Sequence, residues 1–475
     1  MNGRPHPTTN HVSRITFHVF CCLFFVLLLS GCERPSATTA PVALSNPVPQ
    51  AVTPTLAPTG TPLPLPTETP VPATAVPTAT ATATPIYLGE ASPACGQLLP
   101  ILPADVPATA AINPDSDAMT ALRARIPDAA LPALLQLLAE PSSVGLAAYR
   151  IGQEADGAYW NADVPMPLAS VVKVIHLVAY AEAVAAGELD PLTAVPLSDL
   201  EQFYLPGLDL GAHERAVAEL TENGRTFGDP PHILLEEVPW MMIRHSSNAA
   251  MDYLHMLLGQ ARIEETAVAL NLTSQTAPCP FVGQFLAMGN YTRSGDDQTA
   301  VLDFIANPEE YGRAAMLLTD AYSSDPDFRA AQQAWRSDTR RPTGSTQRLF
   351  TETLNPHGSA GDYAALMARI ALNGMSNGDS SYLVRRYLEW PMQFSDNQEL
   401  FTNLGYKNGS LPGVLTTVYY AYPIDDATPV VVALFFHNLD GSVYREWRRS
   451  LPHDEFARWL LYDPQAIAVL RDVLQ

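Results

Sequence analysis

Lysine is almost missing from this 475-residue chain: of 27 basic residues only Lys173 and Lys407 are lysine, the other 25 being arginine. Positive charge is scarce altogether. With 49 acidic residues the formal net charge is −22, and such a polyanion is repelled by phosphate backbones, so nucleic acid is not an expected partner. The 11 histidines include no ligand-like His-x-x-x-His spacing and no glycine-rich phosphate loop is evident, so neither a metal nor another cofactor is expected. Charged residues are only 16% of the chain, few for a soluble globule. No internal repeat is visible. What is plentiful sets the other bounds. Hydrophobic residues reach 47%, which excludes wholesale disorder, while 43 prolines mean that part of the chain is not a packed domain.

The low charge and the prolines both belong to the N-terminal fifth. Met1 to Arg14 is polar and basic, and the apolar run Ile15 to Leu29 follows. That run is shorter than the roughly 20 residues of a membrane span and suits the core of a secretory signal. It ends in Leu29-Ser30-Gly31-Cys32, which resembles a bacterial lipobox. Residues 1–32 are therefore expected to be a lipoprotein signal with the lipid on Cys32, and the mature chain to be anchored on the outer face of the bacterial membrane. From Pro35 to Pro85 the residues are almost wholly Pro, Thr, Ala and Val, with Glu68 the only charge. Residues 33–93 read as a spacer, whose Pro35 to Pro85 stretch in extended polyproline form is able to reach about 150 Å at about 3.1 Å per residue. Cys21 and Cys22 would leave with the signal. Cys95 and Cys279 then remain, either as one disulfide or as two buried thiols.

Residues 94–475 read as one α/β (α+β) domain. Val144 to Ile151 and Gly157 to Asp163 look like strands, as do the β-branched and aromatic runs Val414 to Tyr422 and Pro429 to His437. Helical spacing marks Ala129 to Glu140, Ser170 to Ala186, Glu236 to Ile243, Ser247 to Leu258, Ile263 to Leu270 and Ala360 to Leu372. A last helical stretch is expected from about Asp454 to Val473. Strands at both ends with helices between imply one shared sheet and a helical block filling the middle.

Arginine keeps its proton in proteins and lysine can lose it, so the surroundings of the two lysines are informative. Lys173 ends Ser170-Val171-Val172-Lys173 at the start of a helix, where a spacing of three puts serine and amine on one face. Helix-start N–H groups favour a developing oxyanion at Ser170, and partial burial would leave the Lys173 amine neutral enough to take the serine proton. Arg244-His245-Ser246-Ser247-Asn248 precedes another helix and is either an N-cap or a pair of groups aimed into a cleft. Lys407-Asn408-Gly409-Ser410 leads towards the strand Val414 to Tyr422 and is either a hairpin turn or a strand edge that glycine opens to a substrate backbone.

Taken together and in this order, the three segments resemble the marks S-x-x-K, S-D-N and K-T-G of the serine β-lactamase and penicillin-binding superfamily, nearest to class A β-lactamase-related enzymes. The likeness runs from about Ala129 to the C-terminus. It implies a β-lactamase/transpeptidase-like fold, with an antiparallel sheet of N- and C-terminal strands, flanking helices and an inserted all-helical subdomain. It implies that Ser170 is the acylated nucleophile, Lys173 its base, and Ser246 the proton donor to the leaving nitrogen. Asn248 would hold a substrate amide and Lys407 a substrate carboxylate. Gly409 would let the substrate approach, and the N–H groups of Ser170 and Ser410 would form the oxyanion hole. The implied substrate is a β-lactam, or a peptidoglycan stem peptide ending in D-Ala-D-Ala, and the implied protein a monomer; a wall-binding lipoprotein without catalysis is the reading from another class. Ser247 stands where the pattern has Asp, and Asn408 where it has a hydroxyl residue. The family's deacylating glutamate has its best counterpart in Thr351-Glu352-Thr353-Leu354-Asn355, making Glu352 the candidate base although it falls one residue late. Asn271 to Gln347 looks like an enlarged insertion.

Overall fold

The computed structural model describes residues 95–97, 99, 112, 115–289, 297–338, 342–426 and 428–474. The signal, Cys32 and the proline-rich spacer lie outside the described residues. Nine strands occur among the described residues: β1 (Val144–Arg150), β2 (Ala158–Trp160), β3 (Met166–Pro167), β4 (Ala194–Pro196), β5 (His232–Leu234), β6 (His357–Gly358), β7 (Phe401–Leu411), β8 (Val414–Pro423) and β9 (Val430–Phe436). Five of them make one antiparallel sheet in the order β2-β1-β9-β8-β7. The N- and C-terminal strands thus share a sheet as expected, with β1 against β9 from Val144↔Phe436 to Arg150↔Val430.

Both faces of this sheet are covered, which is why its central strands read as unbroken apolar runs. Alternate residues of β9 go to opposite sides. Val431, Ala433 and Phe435 join the core beneath the helical block, while Val430, Val432, Leu434 and Phe436 join a second core beneath the terminal helices. That second core is closed by Leu131–Ala139, Pro452–Tyr462 and Ala466–Leu474. The first core is centred on the helix Lys173–Ala185, whose residues from Lys173 to Ala181 are all buried. Its end is set by Gly187, in the left-handed conformation at φ +73°.

Two expectations change. The last helical stretch is two helices, broken where Asp463 and Pro464 interrupt it: proline supplies no N–H, and the Asp463 carboxylate takes bonds from Arg125 and from the Gln465 N–H instead. The Lys407-Asn408-Gly409-Ser410 segment is not a hairpin turn. It lies within β7, with Lys407↔Val418 and Gly409↔Thr416 in register, and the turn comes later at Pro412-Gly413, where Gly413 has φ +87°. The insertion is largely helical where described, as expected: Phe281–Gly289, Asp297–Ala306, Pro308–Ser324, Pro326–Asp338 and Gly344–Thr353. Of the two readings for the remaining cysteines, the disulfide holds. Cys95 and Cys279 are bonded, and the flanking chains pair through Gly96 N–H to Ala277 O and Ala277 N–H to Gln97 O, both 2.8 Å.

Candidate active site

Ser170 sits in a 3₁₀ turn, Ala169–Val172, that runs directly into the helix Lys173–Ala185. The turn is entered through Ala169, held in the left-handed region at φ +47°. Such a conformation costs an alanine about 1–3 kcal/mol and persists only where its surroundings impose it. Here Asn355 accepts the Ala169 N–H at 3.0 Å, Leu168 N–H donates to Pro356 O at 2.8 Å, and Thr416 donates to Leu168 O at 2.8 Å.

The surroundings of Lys173 set its chemistry. Its Nζ lies 2.6 Å from Ser246 O and 2.8 Å from Asn248 Oδ1, both pure acceptors, and 3.1 and 3.2 Å from the hydroxyls of Ser170 and Ser246. A neutral amine has two N–H bonds and one lone pair. The two pure acceptors take the N–H bonds, so the lone pair is left to face the two hydroxyls. Burial lowers the amine from its ordinary 10.5 to about 7, against the opposing charges of Asp209 and Asp252. Ser246 presents both its carbonyl and its hydroxyl to Lys173 from a left-handed backbone at φ +64°. Ser247 turns the other way: it caps the helix Asn248–Leu258 through Ala250 N–H and meets His213 Nδ1 at 3.0 Å. The N-cap, at Ser247, and the pair of groups aimed into the cleft, Ser246 and Asn248, are therefore both present.

Lys407 approaches from β7, the edge strand. Its Nζ lies 3.1 Å from Ser246 Oγ and 2.6 Å from Asn408 O, so one hydroxyl bridges both lysines of the chain. Burial, and after it the charge of Lys173, holds this amine well below its ordinary value. Asn408, Gly409 and Ser410 line the cleft beside Ser170, with Lys407 behind Ser246. Gly409 is required there. A Cβ on it would fall 2.7 Å from Ser170 N, 2.6 Å from Leu168 O and 2.5 Å from Thr416 Oγ1. Ser410 Oγ is 3.0 Å from the Tyr444 hydroxyl. Ser170, Lys173, Ser246, Asn248, Lys407, Gly409 and Ser410 are thus gathered from three segments around one cleft.

Glu352 is not. Its carboxylate is engaged by His437 Nδ1 and by the N–H of Asn438, both at 2.7 Å, beyond the end of β9. Asn355 is the part of that segment that reaches the serine turn. The group covering Lys173 is Phe281, whose ring centroid is 5.2 Å from Nζ and which lines the cleft with Ser170. It is held by Asp252, a buried carboxylate that accepts Phe281 N–H at 2.6 Å and Val282 N–H at 2.8 Å. Burial raises this carboxyl from 3.8 to about 7. The sequence reading missed Phe281 and Asp252. Asp252 had a signal, since it stands alone among apolar neighbours one turn after Asn248 on the same helix face; Phe281 had none.

Several solved structures are similar in fold at low identity. A β-lactamase from Sphaerobacter thermophilus DSM 20745 has 18% identity over 73% of this chain and 96% of its own, with a TM-score of 0.42. A β-lactamase from Chitinophaga pinensis DSM 2588 has 13% identity over 76% and 100%, at 0.40. PBP-A has 12% over 77% and 96%, at 0.40. No curated protein matches. The model of the β-lactamase enzyme family matches residues 130–451, a span holding every residue of the Ser170 cleft, and this chain belongs to that family.

Proposed function

We propose that this protein is a serine hydrolase that opens β-lactams through an acyl-enzyme on Ser170. The observation that carries the proposal is the shell of Lys173, a buried amine with two pure acceptors and two hydroxyls around it. In acylation Lys173 takes the Ser170 proton as Oγ attacks the lactam carbonyl carbon. The oxygen then carries negative charge beside the N–H groups of Ser170 and Ser410. As the carbon–nitrogen bond breaks, Ser246 gives its proton to the leaving nitrogen and is resupplied by Lys173 at 3.2 Å. Lys407 and Asn408 would receive the carboxylate on the leaving side. Water then hydrolyses the ester.

A second reading, a D-Ala-D-Ala carboxypeptidase or penicillin-binding protein, shares every step up to the ester. It is favoured by Phe281, an apolar ring whose centroid lies 5.2 Å from Lys173 Nζ in the cleft, where a hydrolase needs room for an ester-cleaving water. An intact-mass time course of the purified domain with a simple penicillin separates the readings. An adduct that forms and decays while opened drug accumulates supports the first, and an adduct that persists supports the second. No adduct on Ser170, or one that survives Ser170→Ala, would sink both. We also propose that lipid on Cys32 holds the domain outside the cytoplasm. Cys32→Ala should move the full chain out of the membrane fraction, and a variant that stays there would refute the anchor.

A further inference from the structure

Past Gly409 the cleft opens into a second pocket that no step described so far uses. The two spaces share Leu208, Leu210, Phe285, Ser410 and Leu411 as walls. The second pocket measures about 860 Å³ out to its open mouth, and Met288, Phe350 and Pro412 continue its apolar lining. Phe285, Met288 and Phe350 are buried, so these walls are fixed by the core. Gln347 and Thr351 of the helix Gly344–Thr353, with Tyr444 and Arg448, complete the rim. The helical insertion and the helix that ends it therefore build one side of this pocket, and the segment Gly207 to Leu210, the end of β7 and Tyr444 with Arg448 build the rest.

The chemistry at Ser170 gives the pocket a direction. Ser246 protonates the leaving nitrogen and is joined to Lys407 at 3.1 Å, so the leaving side of a substrate points to Lys407. The acyl side, the part that stays on Ser170 as the ester, must run the opposite way along β7. From Lys407 to Ser410 is about 10 Å at about 3.3 Å per residue, and the pocket begins at Ser410. Resting on the acyl-enzyme reading, we infer that this pocket seats the acyl substituent retained on Ser170 and selects an aromatic one. Phe285, Phe350 and Met288 offer ring edges and a thioether to an aromatic ring, and a methyl group would leave most of the space unfilled.

The test compares the second-order rate of Ser170 esterification, by intact mass, for two penams of one nucleus, carrying a phenylacetyl or an acetyl group. The wild type should favour phenylacetyl by about tenfold or more, the discrimination an apolar pocket gives. Gln347→Trp, which fills the pocket from the rim, should bring the phenylacetyl rate down to the acetyl rate and leave the acetyl rate within about twofold. Gln347→Ala should keep the preference. Leu210→Trp, at an exposed position on the facing wall, serves as a second filling variant should Gln347→Trp misfold. Ser170 acylation at equal rates by both penams in the wild type, or an equal slowing of both by the filling variant, would overturn the pocket assignment alone. If neither penam labels Ser170, the assignment falls together with the acyl-enzyme reading.

Discussion

The burial of Lys173 fixes both the sign and the size of a pH effect. Its amine is lowered from 10.5 to about 7 by desolvation. A base acts in its neutral form, so acylation of Ser170 should rise with pH through about 7 and level off above it. At pH 5.5 only about 3% of the amine is neutral, and the rate should stand about thirtyfold below its plateau. A lysine left at its ordinary value would be neutral in about one molecule in 3,000 at pH 7, so burial raises the reactive fraction by roughly a thousandfold. The same shift affects stability. Between about 7 and 10.5 the unfolded chain keeps a proton on Lys173 that the folded chain has lost. The stability contribution is therefore complete above 10.5 and is lost as pH falls through about 7, a slope of about 1.4 kcal/mol per pH unit. Lys173→Met removes this slope. Between pH 7.5 and 9.5 the wild type should gain about 3 kcal/mol more in unfolding free energy than the variant does. Asp252, raised from 3.8 to about 7, acts in the window below and contributes stability that is lost as pH rises through about 7. The measurements are Ser170 labelling rates from pH 5 to 9 and urea unfolding of both proteins at the two alkaline pH values. A labelling rate flat from pH 5.5 to 9, or a variant with the stability slope of the wild type, would refute a buried neutral lysine as the base.

Gly409→Ala should keep the protein folded and cut Ser170 labelling by about a hundredfold or more, because the new Cβ displaces the serine turn at Ser170 N and Leu168 O; an unchanged rate would mean that β7 does not shape the oxyanion hole. Glu352→Gln should leave the lifetime of the Ser170 ester unchanged and lower the melting temperature through loss of the His437 pair; a slower decay would restore Glu352 as a deacylating base. Burial lowers the His437 imidazole and Glu352 more than offsets it, so that pair contributes stability that is lost as pH rises above the ordinary histidine value of 6.5. Replacing Cys95 and Cys279 by Ala should cost about 5 kcal/mol in unfolding free energy, from a cross-link between residues 184 apart. Denaturation in the presence and absence of reductant checks this, and coincident curves would show that the bond does not constrain the unfolded chain.

Much of the architecture was legible because the sheet is buried on both faces. β1, β8 and β9 each read as a continuous apolar segment, and their positions at the two ends of the domain left a shared sheet as the simplest closure. β7 was not legible as a strand. Its sequence, Phe-Thr-Asn-Leu-Gly-Tyr-Lys-Asn-Gly-Ser-Leu, has two glycines, two asparagines and a lysine, all unfavourable in strands on propensity. Its form follows from tertiary demands. Gly405 makes room for the Tyr420 ring, Gly409 for the serine turn, and Lys407 is aimed at Ser246. Function overrides propensity along this strand, and the turn dipeptide Asn-Gly misleads for that reason. The residues of the Ser170 cleft were legible for a related reason: serine, lysine and asparagine at fixed offsets from helix starts carry their geometry with them, since a turn of helix or a cap fixes where each side chain goes.

Phe281 carries no such geometry in its neighbours, and its place depends on long-range ties. The disulfide holds the chain at Cys279, two residues before it, and Asp252 takes the N–H groups of Phe281 and Val282 from below. Between those ties and the return at Asn355, which steadies Ala169, lies the whole helical insertion. The insertion therefore enters and leaves through the supports of the Ser170 turn and its Lys173 partner. The first residue of its first helix, Phe281, covers Lys173, and its later helices build part of the wall of the pocket beyond Ser410. On the acyl-enzyme reading proposed above, a segment anchored in this way bears on two things at once, the access of water to the ester and the shape of the acyl group that the ester carries. Those are, on that reading, the properties by which one acylating core can belong to a rapid hydrolase or to a protein that keeps its acyl group, and the segment between Cys279 and Asn355 contributes side chains to both.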